Sequence, residues 1–100
     1  MIQLVEVCEL STASKNSQQK FTLREVYVNP KHIVSLREDL KFKQKLTEGR
    51  LPEGLNEEQT FTRVIIDKGQ SGLEIVVVGT PSVVETKMRG ALHELQLLQG

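Results

Sequence analysis

Two runs of β-branched residues face each other across a short glycine-containing segment, and no other feature of the chain restricts its fold as much. Phe61 to Asp67 carries Val64, Ile65 and Ile66. Leu73 to Val78 carries Ile75, Val76, Val77 and Val78, and Lys68-Gly69-Gln70-Ser71-Gly72 lies between the runs. This spacing predicts an antiparallel hairpin. Two more strands are expected ahead of it. Met1 to Leu10 sets Ile2, Leu4, Val5 and Val7 among Gln3, Glu6 and Glu9 without Gly or Pro, and in Phe21 to Val28 the residues Phe21, Leu23 and Tyr27 alternate with Thr22 and Arg24. Period-2 alternation is the mark of a half-buried strand. The intervening Ser11 to Lys20 has no large apolar residue and predicts a mobile loop rather than a domain linker.

Asn29-Pro30 ends the second strand, because proline lacks a ladder donor and disfavours helix just before it, and Ile33 to Leu36 predicts a short strand beyond the turn. Residues 37–60 change character. Leu36 with Leu40, and Phe42 with Leu46, have helical spacing, and Gly49, Pro52 and Gly54 follow, so a short helix with an irregular excursion is expected. A last helix is predicted over 81–98, with Thr80 as its cap and Pro81 at the first helical position, where the missing N–H is not needed. Val84, Met88, Ala91, Leu95 and Leu98 form a stripe suited to a sheet or to a partner helix. Gly90 interrupts that helix at about 1 kcal/mol relative to alanine, either because something approaches the backbone there or because the cost is simply tolerated.

These elements predict one α+β domain spanning 1–100, a small antiparallel sheet packed on a C-terminal helix, since 100 residues leave no room for a second core. A core of this size is modest, and pairing with a second copy would enlarge it. Lys+Arg and Asp+Glu number 13 each, so no net field draws the chain to nucleic acid or to an anionic membrane. No apolar run reaches the roughly 18 residues of a membrane span, and the start lacks the pattern of a signal peptide, which leads to a cytoplasmic expectation. Cys8 is the single cysteine; it excludes an internal disulfide, and its apolar strand predicts a buried thiol.

No Walker-type GxxxxGK, GxSxG or HExxH motif is present, and no Cys–His pair has ligand spacing, so an enzyme, a metal site and a cofactor are not expected. Glu57 and Glu58 read as solvated, and His32 and His93 stand far apart in sequence. One flank of the last helix differs. Glu85, Arg89, His93 and Gln96 follow at helical spacing, which turns Arg89 and His93 the same way and offers N–H donors to a phosphate or a ribose. The plainer alternative is a solvated face with a Glu85–Arg89 pair. Phe61, one of four aromatic residues, is either a core plug, the commoner use of such a ring, or a platform for a base; Arg63 shares its strand face and would flank the same small anion.

Taken in order, the two strands, Tyr27-Val28-Asn29-Pro30-Lys31-His32-Ile33, the charged insertion, Phe61-Thr62-Arg63-Val64, the hairpin ending Val77-Val78-Gly79-Thr80-Pro81 and the helix with Arg89 and His93 resemble the phage anti-Thoeris proteins of the first described type. These are sponge proteins that sequester cyclic nucleotide immune signals. The resemblance covers about residues 1–98. It implies an interlocked homodimer, with a trimer of such dimers, a hexamer, in some members. The implied ligand is glycocyclic ADP-ribose from TIR-domain proteins, held without cleavage in the cytoplasm of an infected bacterium, and some members also hold cyclic di- and trinucleotides of a related defence pathway (anti-CBASS activity). By the same resemblance Phe61 is the base-stacking aromatic, Arg89 the first helix cation and Arg37 a residue of a separate trinucleotide site. His93 stands where a second arginine is expected, a departure that bears on phosphate binding. VNPxxI, a hairpin and a VxE helix also resemble the flagellar and swarming-motility protein family, which lacks such an insertion and implies an interaction or regulatory module.

Overall fold

The hairpin formed by the two β-branched runs lies at the centre of the sheet. In the computed structural model, which describes residues 1–10, 20–49, 51, 55, 58–67, 69 and 72–99, with side chains as far as His93, the strands are β1 (Ile2–Glu9), β2 (Phe21–Val28), β3 (Ile33–Glu38), β4 (Phe61–Asp67) and β5 (Gly72–Val78). A 3-10 turn, Pro30–His32, precedes β3; α1 is Leu40–Thr47 and α2 is Pro81–Gln99. All pairings are antiparallel, in the order β2-β1-β5-β4-β3. The loop expected at 11–20 lies outside the described residues except for Lys20, whose carbonyl accepts a hydrogen bond from the Leu10 N–H at 2.8 Å.

The sheet is strongly curled. Neighbouring strands lie about 4.8 Å apart, so a flat five-stranded sheet would hold its edge strands about 19 Å from each other. Yet β2 and β3 are those edges, and residues 29–32 alone join them, most of that link being the 3-10 turn at about 2 Å per residue. Packing agrees, for Val28 of β2 shares a buried cluster with Val64 and Ile66 of β4. Asn29 shapes the turn: its Oδ1 accepts from the Lys31 N–H at 3.0 Å.

Each face of the sheet has its own core. On the concave side Ile2, Leu4, Val28, Val64, Ile66, Ile75 and Val77 pack with Val84 of α2, and Met88 and Ala91 continue that contact. The stripe therefore docks on the sheet; Leu95, Leu98 and Gln96 lie beyond the described side chains. On the other side Val7, Phe21, Leu51 and Phe61 pack beneath Phe42 and Leu46 of α1. This two-sided packing explains why β2 departs from simple alternation: Phe21 is buried on one face, Val28 on the other, and Tyr27 is 64% exposed.

The ends of α2 and β5 follow from local chemistry. Thr80 Oγ1 accepts from the Val83 N–H at 3.2 Å, the N-terminal cap that its position predicts. Gly79 before it has φ +117°, a conformation that side chains rarely adopt, and its N–H donates to the Thr60 carbonyl at 2.9 Å. Among the described residues nothing outside its own helix lies within 4 Å of where a Gly90 Cβ would stand, so no close approach among them requires glycine there. Gly90→Ala is expected to stabilise the protein by up to about 1 kcal/mol, read as a higher melting temperature. A lower one would mean that a second chain packs on this backbone.

One sequence-based boundary and one burial expectation shift. The excursion expected from Arg37 begins later, because Arg37 and Glu38 continue β3 in register with Arg63 and Thr62. Cys8 is half-buried rather than closed off; burial, then the Glu6 charge, pushes its thiol above the usual range, which keeps it protonated.

Candidate functional site

Asp39 ends β3 and begins α1, and it organises the convex side. Its Oδ1 accepts from the Phe42 N–H at 3.0 Å as the helix cap, while Oδ2 accepts from Arg63 Nε at 3.0 Å and Nη2 at 2.7 Å. Burial alone would raise the pKa of this carboxyl. The Phe42 N–H, the Arg63 hydrogen bonds and charge, and the Lys41 N–H outweigh that and hold it below the usual carboxylate range. The second end of the Arg63 guanidinium meets Glu74 Oε1 at 2.6 Å. Arg63 thus ties β3, β4 and β5 together, and two carboxylates already claim its charge.

Phe61 shares the strand face of Arg63, as alternation requires, but its ring is fully buried. Phe42 covers it with ring centroids 6.2 Å apart, and Phe21 meets Phe42 edge-on at 5.1 Å. Lys45 caps this aromatic group, 4.7 Å from the Phe21 ring and 4.6 Å from that of Phe42. With α1 docked, Phe61 has no open ring face for a base.

Arg89, His93 and Arg37 are exposed. Arg89 pairs with Glu85 one turn back, as its spacing predicts, and both partners face solvent. His93 follows one turn on along the same flank. Arg37 is opposite Arg63 in the β3–β4 register, on the convex side, whereas α2 lies on the concave side. The structure therefore sets the five candidate residues in three places: the closed pair Phe61 and Arg63, exposed Arg37 beside it, and the Arg89–His93 flank. Glu58 is exposed, and Glu57 lies outside the described residues.

A cavity that the sequence does not signal opens on the concave side. It is a groove of about 510 Å³ with Val26, Val28, Ile66, Leu73 and Ile75 along it, Glu6 and Arg24 at one end, and Asn29 and His32 at the other. Arg24 Nη2 donates to Glu6 Oε1 at 2.9 Å across the β1–β2 register. None of the five candidate residues lines the groove. Curling of the sheet creates it by bringing β2 over β4 and β5, a long-range event with no local sequence signature.

Among the described residues no group of three His, Cys, Asp or Glu side chains is placed to hold a metal ion, and no helix is long and apolar enough to cross a membrane. The fold and its surfaces define a small α+β protein with a curled five-stranded antiparallel sheet and two helices. No protein-family model matches the chain, and neither a curated protein nor a solved structure matches it.

Proposed function

We propose that this protein binds and holds a cyclic nucleotide signal, of the glycocyclic ADP-ribose class, without cleaving it, acting as a homodimer in the cytoplasm of an infected bacterium. The observation that carries the reading is the Arg89–His93 flank. The two side chains leave the helix one turn apart, on the flank away from Val84, Met88 and Ala91, which anchor it to the sheet, so both reach solvent from the same side. Paired donors of this kind suit a pyrophosphate, and a guanidinium contributes planar, bidentate contacts. The resemblance of the whole element order to the anti-Thoeris sponges supplies the ligand class. The same resemblance supplies the dimer, in which a second copy would complete a site that one exposed helix flank leaves open.

The test is the affinity of Arg89→Ala for glycocyclic ADP-ribose by titration calorimetry. Arg89 and Glu85 are largely solvent-exposed, so the variant is expected to fold with unchanged stability and to bind at least about tenfold more weakly, the loss of one charge-assisted contact. Unchanged affinity removes the flank from the site. A second reading, an interaction or regulatory module like the flagellar and swarming-motility proteins, is favoured by Val34 and Leu40, exposed by 65% and 69% in and just beyond the edge strand β3.

A further inference from the structure

The groove on the concave side is independent of the Arg89–His93 flank and calls for a different occupant. Its walls are branched aliphatics from three strands: Val26 and Val28 of β2, Ile66 of β4, and Leu73 and Ile75 of β5. Tyr27 borders it as well, but alternation along β2 turns that side chain to the opposite face from Val26 and Val28, so no aromatic wall invites a planar base. Such walls suit an alkyl chain. From Arg24 to Val28 the strand advances about 14 Å, so the groove is long, apolar in the middle and polar at both ends.

The charges at its ends are unequal. At one end Arg24 is 66% exposed in its side chain and gives a single N–H to Glu6, which leaves further donors of the guanidinium turned to solvent. Glu6, at 15%, is the more enclosed partner. Glu74 also borders the groove, but its carboxylate is bound by Arg63. Asn29, His32 and exposed Met1 form the opposite end, where Asn29 already accepts from the Lys31 N–H and no guanidinium is present.

The geometry points to a binding site for an anionic amphiphile, an alkyl chain of medium length lying along Val26, Val28, Ile66 and Ile75 with its carboxylate or phosphate head on Arg24. The head group takes N–H donors that Glu6 leaves free, and the chain covers Leu73, which is 43% exposed, and half-buried Val26, with the buried Val28, Ile66 and Ile75 as its floor. Calorimetric titration of the intact protein with hexanoate, octanoate and decanoate, each below its micelle threshold, reads this directly. Each added methylene is expected to tighten binding about fourfold until the groove is full. Decanol should bind about tenfold more weakly than decanoate, as should decanoate to Arg24→Gln.

Glu6→Gln discriminates most sharply. It removes the carboxylate that competes for Arg24 and repels the head group, so decanoate should bind more tightly, whereas a purely structural Glu6–Arg24 pair predicts no gain. Arg89→Ala should bind decanoate like the unaltered protein, which separates this site from the nucleotide-binding flank. Absence of decanoate binding, affinity indifferent to chain length, or unchanged or weaker binding by folded Glu6→Gln would overturn the proposal.

Discussion

Phe61→Ala is expected to destabilise the protein by about 3–5 kcal/mol and to lower its melting temperature by at least about 12 °C. The ring is fully buried between the sheet and α1, in contact range of Phe42, and its removal leaves a cavity that the surrounding strands cannot close. Such a loss is a large share of the 5–15 kcal/mol typical of a folded domain. Phe61→Leu keeps most of the volume and should cost only about 1 kcal/mol. That milder variant decides what the ring is for. A core residue predicts unchanged nucleotide affinity in folded Phe61→Leu, while loss of affinity would show that α1 lifts to let a base reach the ring.

Asp39→Ala is expected to cost about 3 kcal/mol, by denaturant titration. The carboxylate is almost wholly enclosed and does two things, capping α1 and neutralising Arg63, so its removal leaves a free helix end and a half-buried cation with Glu74 alone. The same group makes stability depend on pH. Its folded-state pKa lies below the unfolded value of about 3.9, so its contribution is present above that value and is lost as the pH falls through the folded pKa. Asp39→Asn should remove this part of the acid sensitivity. An Asp39→Asn profile below about pH 4 that matches that of the unaltered protein would show that the Phe42 N–H and Arg63 do not hold the carboxylate in its charged form.

What was legible in the sequence was local. The β4–β5 hairpin was visible from two β-branched runs and a glycine-containing segment, and α2 from Thr80, Pro81 and the stripe at Val84, Met88 and Ala91, because hydrogen bonding and burial there follow from residues close in sequence. The end of β3 was hidden because Arg37 and Glu38 look like loop or helix residues, yet an edge strand tolerates charged side chains. Phe61 and Arg63 were recognisable as neighbours on one strand face. Their partners were not: Asp39, Glu74 and Phe42 reach them only through sheet register and the docking of α1. The groove was illegible for the same reason, since Arg24 and Ile66 come to line one cavity only when the sheet curls. Tyr27 reads as an inward residue, and its exposure follows from β2 turning its other face, at Val26 and Val28, to the core.

Sequestration means that the ligand stays bound and intact, and a single mixture reports both. The purified protein is mixed with glycocyclic ADP-ribose and, separately, with cyclic di- and trinucleotides; bound and free fractions are parted by filtration, and the retained protein is then heated and the released material identified by mass spectrometry. Holding a signal effectively calls for nanomolar affinity, about −12 kcal/mol, so the cyclic nucleotide is expected to be depleted from the filtrate and recovered intact after denaturation. A chemically altered product would contradict sequestration in favour of an enzyme, and a filtrate that keeps every nucleotide would contradict it in favour of the interaction module.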